Sequence, residues 1–409
     1  TQQAPDWHRL AAETVRIPRP AQPDAATDTE GWSLMLASCL YPGSLAERTP
    51  PEGDWPAGPP DAAWQRLIDW RHQAERLQPE LAILLGDQIY ADATAGLFDP
   101  RTADGRFRQP YQDMLSLRLM REALRGLPVH TLVDDHEIVD NWSLLNEDAH
   151  TWDDNRALRA EGLRAYRHFQ RFAQPVRQPV DPRCPTQRPA RLWYTFAHRG
   201  LPFFMADTRT QRACRDADSF EQAPIMGRVQ WGQLMAWIAQ HGPQACPKFV
   251  ASPSILLPRR QLTDDQHPAT ALLSDAWEGY PRALQELLAQ LYDCQAQHVV
   301  FLSGDEHLSC VARLTLSCEG DDPARAVVAH SVHSSALYAP FPFANARRSE
   351  FRAQESFAFS LQRPDGWRRY HCQVDTVFAP AGDGFALLSC RQTSPDSWHA
   401  EVTWSRAEN

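Results

Sequence analysis

Lysine and long apolar runs are the two features that this sequence most nearly lacks. Of its 41 lysine and arginine residues only Lys248 is a lysine, so a cationic group that binds an anion here is almost always an arginine. No apolar stretch approaches the roughly 18 residues that a membrane-spanning helix needs. The net charge of -10 argues against a nucleic-acid polymer as partner, because phosphate backbones select basic surfaces.

Paired cysteine motifs are missing as well. The chain contains nine cysteines, an odd number, and no two of them have the CxxC spacing. This excludes a zinc ribbon and a thioredoxin-type redox motif, and it favours reduced thiols. Cys39 differs from the others because it ends an apolar run and belongs to a set of metal-ligand residue types.

The composition is that of a globular protein, with 43% hydrophobic and 22% charged residues in a chain of 409. Residues 1–31 are polar and rich in proline and alanine, which predicts an extended N-terminal arm, and residues 32–409 are predicted to form a single domain. The first residues carry no signal-peptide core, which favours a cytoplasmic location. The chain begins at Thr1 and not at Met, so a periplasmic or secreted location stays open if a leader was removed.

Hydrophobic periodicity predicts an alternation of strands and helices along most of the chain. Strands are expected at 33–38, 81–86, 128–133, 247–252 and 298–303. Helices are expected at 62–77, 111–125, 155–173, 227–240 and 281–296. The apolar segments 192–198 and 201–207, separated by Arg199 and Gly200, predict a β-hairpin with a two-residue turn.

Towards the C-terminus the helical signal fades, and strands are expected at 311–316, 326–332, 369–377, 385–391 and 399–404. Two proline-rich loops, 41–60 and 175–189, interrupt the pattern. We therefore predict an α/β fold, a four-layer α/β/β/α sandwich of two mixed sheets flanked by helices. In this fold the C-terminal strands are expected to complete the second sheet.

Four apolar runs end on residues of the types that bind metals. They end at Cys39, at Asp87 with Tyr90, at the segment 134–137, and at Asp305 with His307. Because such strand ends meet at one edge of a sheet, they predict a single site with thiolate, carboxylate, phenol and imidazole groups. This is the construction of a two-metal hydrolase, in which Asp87 bridges two cations. The alternatives for single residues are a helix-capping Asp87 and a core histidine at 307.

The segment Asp-Asp-His-Glu at 134–137 is the most specific of these clusters. Four consecutive ionisable residues repel one another unless a cation or a proton separates them, although a solvated acidic loop is the alternative. We expect Asp135 to be a metal ligand and His136 a general acid, with Asp134 and Glu137 orienting the imidazole. Asn141 is a candidate for orienting this loop.

Three further residues are candidates for substrate contact. Arg209 suits a phosphate oxygen, with Asp207 fixing it, although an ordinary ion pair at a strand end explains the pair equally well. His333 lies near the end of a C-terminal strand, from which it could reach the site.

The order of these motifs resembles the PhoD-like alkaline phosphatases of the calcineurin-like metallophosphoesterase superfamily. The matching segments are Ser38-Cys39, 87–90, 134–137, 207–209, 277–280 and 305–307, within a region of 33–345. The resemblance implies an iron site with ligands matching Cys39, Asp87, Tyr90 and His307. It also implies that Asp87 bridges to an oxygen-rich site that takes calcium in well-studied members, and that Trp277, Glu278 and Tyr280 line the approach.

The chemistry of the donors supports the same division. Thiolate, phenolate and imidazole suit a transition ion such as ferric iron, whereas Asp87, Asp135 and Asp305 offer only oxygen. The resemblance favours iron plus calcium, and manganese, magnesium and zinc stay open. Pro253 and Ser254 stand where many phosphoesterases carry a histidine ligand.

We predict a metal-dependent phosphoesterase that acts on a small phosphate ester. A metal-bound hydroxide is expected to attack in line while His136 protonates the leaving alkoxide. The alternatives are a phosphodiesterase acting on lipid headgroups or nucleotides, and a metal-binding scaffold without catalytic activity. The oligomeric state stays open.

Overall fold

The fold is described from a computed structural model of the chain. It covers residues 14–16, 31–42, 59–94, 99–100, 102, 104–142, 152–171, 191–263, 265–334, 336–339, 346–394 and 397–406. Most of the predicted N-terminal arm, residues 43–58 of the first proline-rich loop, and the whole of the second loop lie outside these residues. Cys184 lies outside them too.

Fifteen strands are found in the described residues. They are β1 (Thr14–Arg16), β2 (Trp32–Leu40), β3 (Pro79–Leu84), β4 (Val129–Thr131), β5 (Tyr194–His198), β6 (Leu201–Met205), β7 (Lys248–Ala251), β8 (Val299–Ser303), β9 (Cys310–Cys318), β10 (Val327–His333), β11 (Ala336–Tyr338), β12 (Gln354–Arg363), β13 (Gly366–Phe378), β14 (Gly384–Ser394) and β15 (Ser397–Arg406). The α-helices of the same residues are α1 (Ala62–Arg71), α2 (Gln109–Ser116), α3 (Arg118–Ala123), α4 (Trp152–Tyr166), α5 (Arg228–His241) and α6 (Pro281–Asp293).

The strands form two mixed sheets. The first sheet has the order β1-β15-β14-β2-β3-β4, with β11 added alongside β2, and the second has the order β12-β13-β9-β10-β8-β7-β6-β5. The central strands β2, β3 and β4 run parallel, as do β6, β7, β8 and β10. Parallel strands place their carboxyl ends at the same edge of a sheet, which is where the ligand residues follow them.

Three apolar cores separate four layers, which confirms the predicted α/β/β/α sandwich. The core between the sheets contains Leu34 and Ile83 from the first sheet and Phe249 from the second. Neighbouring residues such as Met35 face helices α1 to α4 instead. The outer face of the second sheet is covered by α5 and α6. Strand β2 is buried along its whole length because a layer covers each of its faces.

The C-terminal strands are divided between the sheets, contrary to the prediction that they complete the second. Strands β9, β10, β12 and β13 join the second sheet, but β14 and β15 join the first, where β14 pairs antiparallel with β2. The reason is that Ala386 and Leu388 supply the inter-sheet core next to Leu34 and Leu36. Strand β12 was not predicted, and it is an edge strand with a largely exposed surface.

Several predicted helices have different bounds; for example, the helix predicted at 155–173 is α4, Trp152–Tyr166. Helix α1 ends at Arg71, and the amide of Gln78 donates to the backbone carbonyls of Trp70, Gln73 and Arg76 and so organises the turn that follows. The helix predicted at 111–125 is two helices, because Leu117 has a ψ angle of 113°.

The predicted hairpin is confirmed. Strands β5 and β6 pair antiparallel, and the turn residues Arg199 and Gly200 both have positive φ angles, 49° and 77°, as a two-residue turn of this hand requires. None of the helices in the described part of the chain has the length and apolar character needed to cross a bilayer.

Candidate active site

The predicted ligand residues meet where four strands end. Cys39 is the penultimate residue of β2, and its backbone N–H donates to the carbonyl of Gly86, which follows β3, at 3.1 Å. Leu40 N–H donates to the carbonyl of Asp87 at 2.8 Å. Gly304, after β8, approaches Ser38 so closely that a Cβ at this position would lie 2.3 Å from the Ser38 Cβ. The ends of the two sheets are thus in direct contact.

Four of the predicted ligands have left-handed backbone conformations. The φ angles are 51° at Cys39, 56° at Asp87, 89° at Asp305 and 46° at His307. For residues other than glycine this conformation costs roughly 1–2 kcal/mol each, and such residues cluster at functional sites. The local strain at the strand ends is therefore an independent indication that these four positions are functional.

Asp87 lies between two groups of donors. Its Oδ2 is 3.4 Å from Sγ of Cys39, and the hydroxyl of Tyr90 is 3.2 Å from Nε2 of His307. Tyr90 and Cys39 are packed in one buried cluster. Burial raises the pKa of Tyr90 and of the Cys39 thiol well above their usual values, and the nearby Asp87 adds to both effects. At neutral pH both groups therefore keep their protons.

On the other side of Asp87 lies a carboxylate cluster, formed by Asp87, Asp134, Asp135 and Asp305. Ligand oxygens of the four carboxylates all lie within 4.8 Å of one another. Burial raises the pKa of Asp87, Asp134 and Asp305, and repulsion by neighbouring carboxylates raises each further.

A divalent cation fits this cluster. Oδ2 of Asp134 is buried and lacks a hydrogen bond from any described residue, and Oδ1 of Asp135 has only an ion-pair contact with Nη2 of Arg209 at 3.3 Å. Buried acceptors of this kind cost free energy unless something binds them. An oxygen-only donor set is the one that hard divalent cations prefer. Asp134 belongs to this set together with the three predicted oxygen ligands.

The imidazole of His136 is held by a residue that the sequence did not single out. Its Nδ1 is 2.9 Å from Oδ1 of Asp92, whose Oδ2 accepts from the backbone N–H of Asp140 at 2.6 Å. The ring stacks on Tyr90 at 4.2 Å, and about a quarter of the side chain is exposed. Although burial opposes it, the carboxylates of Asp135 and Asp92 raise the pKa of His136 to about 9.

Asp134 and Glu137 were expected to orient this imidazole, and that expectation is wrong for the described contacts. Asp134 pairs with the guanidinium of Arg209. Glu137 accepts backbone N–H groups of Asp87 at 3.1 Å, Asp134 at 2.8 Å and Gln88 at 2.8 Å. Glu137 therefore ties the loop after β3 to the loop after β4, because its side chain points back to the backbone of both.

Arg209 is fully buried among carboxylates. Its guanidinium contacts Asp134 and Asp275, and its Nη2 is 3.3 Å from Asp135 and 3.9 Å from Asp305. These contacts raise its pKa although burial opposes them, so it remains a cation. Nη1 is buried and has no hydrogen-bond partner in the described residues.

Asp207 and Asn141 act through the backbone. Oδ1 of Asp207 accepts the N–H groups of Arg209 at 3.1 Å and Thr210 at 2.9 Å, so it shapes the turn that carries Arg209. Asn141, with a φ angle of 53°, donates its backbone N–H to Asp135 at 2.8 Å from an exposed position at the rim. Both carboxylate oxygens of Asp207 accept hydrogen bonds from this turn, so its described contacts support a structural role rather than contact with substrate.

The segment 277–280 was expected to line the approach, but it is buried. Trp277 is 0% exposed and donates its indole N–H to Ser252 at 3.0 Å. Glu278 accepts from the Arg260 backbone at 3.0 Å and from the Thr263 hydroxyl at 2.7 Å. Tyr280 donates to the carbonyl of Ala213 at 3.2 Å. Core packing and loop anchoring account for all three side chains.

The described hydrogen bonds of His333 do not support a contact with substrate. Its Nδ1 is 2.8 Å from the Ser303 hydroxyl, and its Nε2 accepts the backbone N–H of Glu306 at 3.3 Å. Glu306 stands between Asp305 and His307, so His333 supports the loop after β8 rather than a substrate.

Two functional candidates escaped the sequence analysis, Asp92 and Asp275. Asp92 lies two residues beyond Tyr90 in the same loop, and the only signal was its proximity to a predicted ligand. Asp275 precedes the segment 277–280 and gave no signal, because its partners Arg209 and Arg212 are distant in sequence.

Comparison with known proteins agrees with the fold and identifies a family. The family model described as PhoD-like phosphatase matches residues 63–373, which is more than half of the chain. A solved structure described as "Structure of PhoD" matches with a TM-score of 0.57 and 16% sequence identity, over 94% of this chain and 67% of that chain. At this identity the likeness shows the fold alone. Among curated proteins no sequence matches this one.

The family match confirms the resemblance that the motifs suggested. It also agrees with an enzyme rather than a scaffold without catalytic activity, because the family is defined by phosphatases. The chain belongs to the PhoD-like phosphatase family and is a phosphoric ester hydrolase.

Proposed function

We propose that this hydrolase cleaves small phosphate esters at a two-metal centre bridged by Asp87. The observation that supports it most strongly is the carboxylate cluster, whose oxygens lie within 4.8 Å of one another in a buried setting. The negative charge of the four buried carboxylates exceeds the positive charge of the one neighbouring arginine. Bound cations or protons must therefore compensate this excess.

The donors divide into two half-sites. Asp87, Asp134, Asp135 and Asp305 would hold an oxygen-preferring ion, for which calcium is favoured over magnesium and manganese. Cys39, Tyr90 and His307 would hold a transition ion with Asp87, and iron is favoured over zinc. When bound, such ions supply positive charge for the phosphoryl oxygens and lower the pKa of a coordinated water.

Arg209 is proposed to bind a phosphoryl oxygen through Nη1, the face of its guanidinium without a described partner. Its other nitrogens are fixed by Asp134 and Asp275, so the donor is held in place before the substrate arrives. A donor that needs no reorganisation stabilises developing charge more effectively than a mobile one. Asp207 contributes by fixing the turn, and Asn141 by fixing Asp135.

His136 is proposed to be the general acid that protonates the leaving alkoxide. Its Nδ1 faces Asp92, which leaves Nε2, 3.9 Å from Asp140, as the nitrogen that can face a leaving group. Partial exposure of the side chain provides the access that a proton donor needs. Asp92 holds the imidazolium in the orientation required for this transfer.

The experiment combines elemental analysis with a screen of phosphate monoesters and diesters in wild type and His136→Gln. We expect His136→Gln to keep its metals and to hydrolyse alkyl phosphates about 10²–10⁴ times more slowly. Aryl phosphates should be affected much less, because their leaving groups depart without a proton. His168→Gln, a surface histidine of the segment that follows α4, is the matched control and should behave as wild type.

Equal losses on aryl and alkyl esters with the metals still bound would contradict the acid role. A protein without bound metal that hydrolyses esters fully would contradict the metal centre. The same screen separates a monoesterase from the alternative phosphodiesterase acting on lipid headgroups or nucleotides.

A further inference from the structure

Asp275 joins two buried arginines at the edge of the carboxylate cluster. Its Oδ2 contacts Nη2 of Arg209, and its Oδ1 lies 2.5 Å from Nη1 of Arg212. About a fifth of its side chain is exposed, whereas both guanidinium groups are fully buried. Asp275 is thus the element of this ion-pair chain that lies nearest to solvent.

Arg212 is fixed independently of the cluster. It donates to the carbonyl of Thr208 at 2.6 Å and to the hydroxyl of Ser254 at 2.8 Å, and its guanidinium lies over the ring of Tyr280 at 5.2 Å. A second contact, at 3.2 Å, joins it to the backbone carbonyl of Asp275. Arg212 therefore anchors Asp275 by both its backbone and its side chain.

Arg209, in contrast, lies beside carboxylates that a cation needs. The Nη2 atom that contacts Asp275 is also 3.3 Å from Asp135 and 3.9 Å from Asp305. Without the charge of Asp275, the described anionic neighbours of Nη2 would be Asp135 and Asp305. Asp134 would still pair with Nε. The guanidinium would then neutralise groups that otherwise bind a divalent ion.

We propose that Asp275 is a positioning residue that, anchored by Arg212, draws the Arg209 guanidinium away from Asp135 and Asp305 and so keeps these carboxylates available to a cation. Asp275 acts through Arg209 and does not touch the reacting atoms. The inference rests on the proposed function, because it assumes that the carboxylate cluster binds a divalent ion. The buried packing of residues 277–280, which follow Asp275, fixes the position of this carboxylate.

The test measures Mn²⁺ binding to metal-depleted protein by isothermal titration, without turnover. Asp275→Asn keeps the size of the side chain and should weaken Mn²⁺ binding about tenfold, which corresponds to about 1.4 kcal/mol. Arg209→Gln should strengthen binding, because it removes a competing positive charge. In the Arg209→Gln background, Asp275→Asn should change the dissociation constant by less than about threefold.

Asp321→Asn is the matched control. Asp321 also joins two arginines, Arg368 at 2.9 Å and Arg325 at 3.9 Å, and its side chain is 21% exposed against 20% for Asp275. It lies outside the site, so Mn²⁺ binding should stay at the wild-type value. If Asp275→Asn does not fold, Arg212→Gln removes the anchor from the other side and should give the same loss, again only when Arg209 is present.

An equal loss of Mn²⁺ affinity from Asp275→Asn in wild type and in the Arg209→Gln background would overturn the inference, because the charge of Asp275 would then act on the cation directly. An unchanged affinity in Asp275→Asn would overturn it too. Failure of the wild-type protein to bind any Mn²⁺ would instead contradict the proposed metal centre, so the two failures are distinguishable.

Discussion

At the scale of single residues, the site is dominated by carboxylates whose charges exceed those of the described cations beside them. Asp87 is 1% exposed, its Oδ2 is 3.4 Å from Sγ of Cys39, and its carboxylate lies within 4.8 Å of the ligand oxygens of Asp134, Asp135 and Asp305, so it adjoins both proposed half-sites. No other described carboxylate contacts both a thiol and the loop after β4. Removal of this one side chain should therefore affect both half-sites.

Substitution of the proposed bridge and of a terminal ligand should give different metal contents. We expect Asp87→Ala to lose both ions and Cys39→Ala to lose mainly the transition ion, as measured by elemental analysis of the purified proteins. Cys390→Ala, at a buried thiol in β14 away from the site, should keep both ions. An unchanged metal content in Asp87→Ala would disprove the bridge.

At the scale of elements, the sheet edges hold the predicted ligands in backbone conformations that most residues avoid. Gly86, with a φ angle of 119°, is the position where the chain leaves β3 and passes closest to the loop after β4. A Cβ on Gly86 would lie 2.4 Å from the Cβ of Asp134. The approach of these two loops, and with it the geometry of the carboxylate cluster, depends on the absence of a side chain there.

Two glycine substitutions should separate backbone strain from the steric clash. Gly126 also has a positive φ angle, 78°, but a Cβ there would have no atom within 4 Å. We expect Gly126→Ala to lower the free energy of unfolding by about 1–2 kcal/mol, and Gly86→Ala to lower it by more than about 3 kcal/mol. Chemical denaturation measures both values, and equal losses would show that the clash is relieved at little cost.

At the scale of the whole molecule, the inter-sheet core contains a histidine that does not belong to the site. His330 in β10 is 4% exposed and faces the same side of the strand as Val332 of that core. Burial lowers its pKa to about 4, and the positive charge of Arg313 in the paired strand adds to the effect. The folded protein therefore contains this histidine in its neutral form.

Stability should fall in acid because of His330. His330 binds a proton near pH 6.5 in the unfolded chain but only near pH 4 in the folded chain. The contribution of neutral His330 to the free energy of unfolding is therefore fully present above pH 6.5 and is lost as the pH falls towards 4. The shift corresponds to roughly 3 kcal/mol at most. We expect His330→Gln to reduce the difference in unfolding free energy between pH 7 and pH 4.5, measured by urea denaturation, by about 2 kcal/mol. An identical difference in both proteins would exclude His330 as a cause.

The sequence by itself determined the alternation of strands and helices, the sandwich class, the hairpin turn and the clustering of ligand types at strand ends. These features are local, because a short continuous apolar run and the residue that follows it are both visible within a short window. Asp87, Asp135, Asp305 and Cys39 were predicted as ligands for this reason. The prediction that these residues form one site followed, because parallel strands end at the same edge of a sheet.

Only the tertiary structure decided which carboxylate acts on which partner. Asp92 rather than Glu137 reaches the imidazole of His136, and Asp275 reaches Arg209 from a segment far along the chain. The buried packing of Trp277 and the placement of β14 beside β2 were also beyond a local pattern. The physical reason is that side-chain direction at loop residues and strand partnership depend on contacts between distant segments, and these form only when the layers pack.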